Sequence, residues 1–191
     1  MASVALEHPW RPFTLTDRRN DITTTKPQSS SVGLTPTDVV RTPGPIELVV
    51  ELRNGSRCLR FAVRTLQIPP WLKPTARRAG KLLSLPHGWD RQGALPVDSS
   101  AIQSAMESLS SIMSSNSSLP QWTPTQRSGV QLDWHESGVD MEIAFEPGGI
   151  DGHVVYSDQR QPDGEWEGPL GEHLSELRTL LRERLVSTPD V

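Results

Sequence analysis

Asn54-Gly55 lies between two runs of alternating apolar residues, and this leaves few ways to fold residues 46–66. A type I′ turn needs positive φ at both central positions, which Asn and Gly supply, so the segment reads as a β-hairpin. With those two residues at the tip, Leu52 meets Arg57, Val50 meets Leu59, Leu48 meets Phe61 and Ile46 meets Val63. One face is then apolar almost throughout. The other sets Glu47, Val49 and Glu51 against Ala62, Arg60 and Cys58.

The chain ahead of the hairpin has no such pattern. Residues 1–44 include the run TTTKPQSSSVGLTPTDVV, rich in Ser, Thr and Pro and without an apolar period. A segment of this kind buries too little surface to offset its chain entropy, so it reads as a disordered arm. Residues 45–187 then form a single domain, long enough for one core, and 188–191 a disordered tail.

Along the domain, IPPWLKPTARRAGKLLSLP breaks the strand with prolines and predicts a short helix with Pro74 in its first turn. Leu72, Ala76, Ala79 and Leu83 would face inward, and Lys73, Arg77, Arg78 and Lys81 outward. Asp98 is a natural N-cap for a second helix, whose Ile102, Ala105, Met106, Leu109 and Ile112 keep amphipathic spacing. A proline-containing loop at 119–124 follows. A second hairpin is expected over 130–145 with Glu136 and Ser137 at its tip, setting Trp134 against Val139 and Leu132 against Met141. Its polar face would then set Asp133 against Asp140 and Gln131 against Glu142. A further strand is expected near 153–156, then a polar loop, SDQRQPDGEWEG. A last helix carries Leu170, Leu174, Leu177, Leu181 and Leu185, with Glu172 and Glu176 early and Arg182 and Arg184 late. The fold class is α+β: an antiparallel sheet of about five strands, two hairpins plus one strand, packed with two to three helices.

GWDRQGALP, from Gly88 to Pro96, is the densest local motif. Trp89 suits a buried anchor whose indole N–H finds backbone, Asp90 an Asx-turn, and Gly93 the positive φ that closes it. With the helix that follows, GVQLDW from Gly129 to Trp134 and the acidic strand DMEIAFEP, the motif resembles a group of small bacterial proteins. Their pattern runs GWDGYGA-x-P, then GGVQLEW and an L-E-I-E strand. The resemblance spans roughly residues 85–167, a little under half the chain, and departs at Arg91 and Ser128, where that pattern has glycine. It implies a bacterial origin and a shared fold, and it brings no activity with it.

Charge is unevenly placed. Between Arg53 and Pro86 there are eight Lys or Arg and no Asp or Glu, while from Gly129 to Val191 four Arg face fourteen Asp or Glu. Such halves either attract within the fold or offer two faces to different partners. Like charges across a strand ladder are unfavourable, so the acidic hairpin needs a reason. A basic protein partner would relieve that repulsion and be steered to it. Asp133, His135, Asp140, Glu142 and Glu146 are therefore the candidate protein-binding residues, with Trp89, Asp90, Gly93 and Trp134 as structural positions.

The expected function is a non-enzymatic interaction module, whether antitoxin-like, inhibitor-like or a complex-assembly subunit, using the acidic face and the arm. One alternative is nucleic-acid binding through Arg57, Arg60, Arg64, Lys73, Arg77, Arg78 and Lys81, which could grip phosphates. No helix-turn-helix or zinc-finger pattern accompanies them. Another is a metal-dependent hydrolase built on Asp133, His135 and Asp140, with His153 on the next strand, although no HxH or HExxH spacing occurs. No G-x-S-x-G or phosphate loop is present, and no catalytic residue, metal or cofactor is expected. The single Cys58 permits no internal disulfide. No run approaches the roughly 18 apolar residues of a membrane span, so no membrane partner and a cytoplasmic setting are expected. No feature sets an oligomeric state.

Overall fold

A computed structural model describes residues 14–18, 46–54, 57–149, 151–161 and 164–186. In chain order the strands and helices are β1 (Thr14–Arg18), β2 (Ile46–Asn54), β3 (Arg57–Thr65), α1 (Leu72–Leu83), α2 (Ser99–Ile112) and β4 (Gln121–Pro124). There follow β5 (Val130–Glu136), β6 (Val139–Phe145), β7 (His153–Asp158), β8 (Glu165–Pro169), a 3₁₀ turn (Leu170–Glu172) and α3 (Leu174–Glu183). The fold is α+β with a five-stranded antiparallel sheet, but that sheet is β4-β5-β6-β7-β8. The first hairpin belongs instead to a separate sheet of order β1-β2-β3.

The helices lie between the two sheets. α2 packs on β3 from one side and on β5 and β6 from the other, with α3 beside it, while α1 touches β2 and β4. α2 suits this central place because Ala101 and Ala105 allow close approach, and Ile102, Met106 and Leu109 are fully enclosed. Burying each of those three large side chains contributes about 1.5–3 kcal/mol. The helix starts as expected: Asp98 caps it by accepting from the backbone N–H of Ser100 at 2.7 Å. α1 buries Leu72, Ala76, Ala79 and Leu83 and exposes Lys73, Arg77, Arg78 and Lys81, as its period predicts. Leu177, Leu181 and Leu185 close the core from α3 and its end.

Both hairpins differ from expectation in register by two residues. In the second, Trp134 pairs with Met141, Leu132 with Ile143 and Val130 with Phe145. The turn residues are Ser137 and Gly138, with φ of 56° and 75°, and not Glu136 and Ser137. Positive φ at both central positions is the type I′ requirement, and the glycine at the second position meets it without a Cβ cost. In the first hairpin the ladder closes at Asn54↔Arg57, with Leu52 opposite Leu59 and Val50 opposite Phe61. Gly55 and Ser56, the residues between, lie outside the described residues. A slip of two keeps every side chain on its expected face and changes only its partner.

Two segments read as loops form edge strands. β4 (QWTP) and β8 (EWEGP) each turn one Trp inward and end at a proline, which an edge tolerates. The segment 1–44, expected to be a disordered arm, contributes β1, which pairs antiparallel with Glu47 through Glu51 of β2. The rest of that arm and the tail at 188–191 lie outside the described residues.

Candidate interaction face

The face of the five-stranded sheet turned away from the helices collects the acidic residues. Strand pairing aligns them in rows: Gln121, Asp133, Glu142, Val155 and Glu167 form one, and His135, Asp140, Ser157 and Glu165 the next. A third holds Thr123, Gln131, Ala144, His153 and Pro169. Five of these outward positions are carboxylates and none is Lys or Arg. Val155 stands between Glu142 and Glu167 with 42% of its surface exposed, an apolar spot inside an acidic rim.

The pairing within this face differs from that expected. Asp133 lies opposite Glu142, not Asp140. Its side chain is almost enclosed, at 6% exposure, and accepts hydrogen bonds from Thr123 Oγ1 at 2.9 Å and Gln131 Nε2 at 2.7 Å. Asp133 is therefore the floor of the face and not a contact offered to solvent. Asp140 meets His135, with Nδ1 to Oδ1 at 2.9 Å and both side chains well exposed, and also accepts from Gln159 Nε2 at 3.3 Å. Glu142 is held above the ordinary glutamate range, first by partial burial and then by the charge of Asp133, with His135 acting against both. Glu146 is exposed just beyond the end of β6, at the rim of the face. Glu165 and Glu167, in the segment read as a loop, complete it.

Among the described residues no three His, Cys, Asp or Glu side chains converge to hold an ion. Asp133 turns to Thr123 and Gln131 while His135 and Asp140 satisfy each other, and His153 sits in a different row.

The basic residues do not form one stripe. Arg60 and Arg64 lie directly opposite Glu51 and Glu47 in the β2–β3 ladder, so that part of the charge is matched locally. Arg57 pairs through its backbone with Asn54, and its side chain lies outside the described residues. Arg78 NH1 donates to the carbonyl of Pro120. Lys73, Arg77 and Lys81, at i, i+4 and i+8, remain exposed along α1. Lys81 and Arg78 border a cleft of about 540 Å³ that Asp133, His135 and Glu136 also line.

The GWDRQGALP loop is made of turn chemistry. Asp90 Oδ1 accepts from the backbone N–H of Gln92 at 2.8 Å and of Ala94 at 2.9 Å, as an Asx-turn does. Those bonds, from Ala94 first and Gln92 second, hold its carboxyl below the ordinary range. Trp89 donates to the Leu95 carbonyl at 3.1 Å but is only half-buried, which corrects its expected role as a buried anchor. Gly88 and Gly93 have positive φ, as do Arg91 at 65° and Ser128 at 70°. Trp134 is buried, with its indole N–H on the Ser118 carbonyl at 3.1 Å.

A second polar cluster lies on the inner side. Asp158, with its side chain fully enclosed, pairs with Arg184 at 3.1 Å and accepts from the Arg160 backbone N–H at 3.0 Å, fastening the end of α3 to β7. Burial first, and then the Asp158 charge, push the neighbouring Tyr156 hydroxyl upward. Among the described residues no helix is long and apolar enough to cross a membrane. No protein-family model, curated protein or solved structure matches the chain.

Proposed function

We propose that the protein is a non-enzymatic interaction module that binds a basic protein through the outward face of its five-stranded sheet. The observation that carries this reading is the two aligned rows, in which Asp140, Glu142, Glu165 and Glu167 surround exposed Val155 with no Lys or Arg among the outward strand positions. A sheet face of one sign is locally self-repelling, and a basic surface with an apolar residue at its centre complements both of its features. The partner contacts on the chain are His135, Asp140, Glu142, Val155, Glu165 and Glu167, with Glu146 at the rim. The test is co-purification of the full chain and its Glu142→Lys/Glu165→Lys/Glu167→Lys variant from native extract at low and high salt. The variant loses a partner that the parent holds, and the parent releases it as salt rises. Retention of the same partner by the variant at low salt refutes the reading.

A nucleic-acid reading contracts to Lys73, Arg77 and Lys81 on α1, the exposed cations at helical spacing. Three phosphate contacts give only a shallow salt dependence.

A further inference from the structure

We infer that the edge of β3 left unpaired by any strand among the described residues pairs with the same edge of a second copy, joining two three-stranded sheets into one of six strands. The sheet edges in this fold are unequal. β1 has five residues, β4 four ending at Pro124, and β8 five ending at Gly168-Pro169. Short strands and prolines are the usual means of blunting an edge. β3 is nine residues, RCLRFAVRT, without Gly or Pro, and its ladder with β2 runs unbroken from Arg57 to Thr65. Leu66 and Ile68, 69% and 53% exposed, follow directly at its end.

The register of the pairing follows from the hairpin. With two residues between the paired Asn54 and Arg57, the closing pair is hydrogen-bonded, and hydrogen-bonded positions then alternate. Arg57, Leu59, Phe61, Val63 and Thr65 direct their backbone groups to β2. Cys58, Arg60, Ala62 and Arg64 direct theirs to the opposite edge. Antiparallel self-pairing about Phe61 sets Cys58 opposite Arg64 and Arg60 opposite Ala62, and satisfies all four residues in both copies. A shift by one pair to either side leaves one of them without a partner.

The side chains agree with that register. Neither Arg60 nor Arg64 faces another Arg: Arg60 meets Ala62 and Arg64 meets Cys58. On the inner face Leu59 meets Val63 and Phe61 meets its own copy, continuing an apolar row already shielded by α2. The acidic face belongs to the other sheet, on the far side of the helices, so this pairing is independent of the function proposed above and leaves both acidic faces open.

Sedimentation equilibrium of the full chain tests it, with thermal midpoints recorded alongside. The parent chain is expected at twice 21.1 kDa. Ala62→Pro removes an N–H that the β2–β3 ladder does not use, and an edge strand accepts it. Ala62→Lys sets a cation against Arg60 of the other copy. Each variant is expected at half the parent mass. Arg64→Cys, oxidised, is expected to give a covalent dimer through Cys58 of the second copy, since residues 58 and 64 of one strand are too far apart to join. A monomeric parent chain overturns the inference, including one that binds an extended segment of another protein at this edge. So does a dimer that persists in both Ala62 variants.

Discussion

Replacing Glu142 by Gln removes one of two carboxylates held directly opposite each other. Asp133 cannot move away, because Thr123 and Gln131 fix it and it is nearly enclosed. Like charges facing across a ladder cost about 0.2–1 kcal/mol, so Glu142→Gln is expected to stabilise the protein by about 0.5 kcal/mol at neutral pH. For a domain of this size that raises the thermal midpoint by about 1–2 °C. The pH dependence has a definite sign. Glu142 is raised above the ordinary glutamate range, so the folded protein binds the proton more tightly than the unfolded chain. Stability contributed by this group is therefore lost as pH rises from the ordinary range through the raised one. The advantage of the Gln variant should be full at neutral pH and vanish in acid, where the parent is already protonated. Asp140→Ala provides the contrast: it loses the His135 and Gln159 contacts and should destabilise slightly. Calorimetric or fluorescence melting across pH 3–8 reads both. A Gln variant that is less stable than the parent at neutral pH, or whose difference does not change with pH, refutes the argument.

Three further outcomes follow from the same geometry. Arg91→Gly and Ser128→Gly each relieve a left-handed backbone and should stabilise by about 0.5–1 kcal/mol after the entropy of the added glycine, read as a higher denaturation midpoint. Trp89→Ala should cost about 1–2 kcal/mol, below the roughly 3–5 of a fully buried aromatic, whereas Asp90→Asn should lose stability chiefly at neutral pH and match the parent in acid. Arg184→Ala leaves Asp158 enclosed without its cation and should cost about 2–4 kcal/mol, with Asp158→Asn/Arg184→Met recovering much of the loss in urea denaturation.

The sequence read well where side-chain period reports burial and poorly where short elements borrow their stability from neighbours. The inward faces of α1 and α2 and the Asp98 cap were legible because apolar spacing and capping chemistry are local. Both hairpins were legible as hairpins, and their faces survived a two-residue slip. The slip nevertheless changed the site, because it exchanged Asp140 for Glu142 opposite Asp133. Gly138 was the available signal: glycine fits the second central position of the turn, which moves the tip one residue past Glu136-Ser137. β4 and β8 were hidden because each carries one inward Trp and a closing proline, too short for a period to register. With β8 went Glu165 and Glu167, although the alternation E-W-E was their trace. That the first hairpin leaves the main sheet was not legible, since a period of two does not say which sheet a strand joins.

The central claim is that a basic protein covers the acidic face. A photo-crosslinking side chain placed at Val155, with a second chain carrying it at Arg77 as the comparison, tests this directly in the native cell. Val155 is the exposed centre of the acidic rows, and Arg77 lies on the basic stripe of α1. The account predicts a discrete protein adduct from position 155, to a basic surface, that disappears when Glu165 and Glu167 are both changed to Lys. An absence of adducts at 155 together with nucleic-acid adducts at 77 would contradict it.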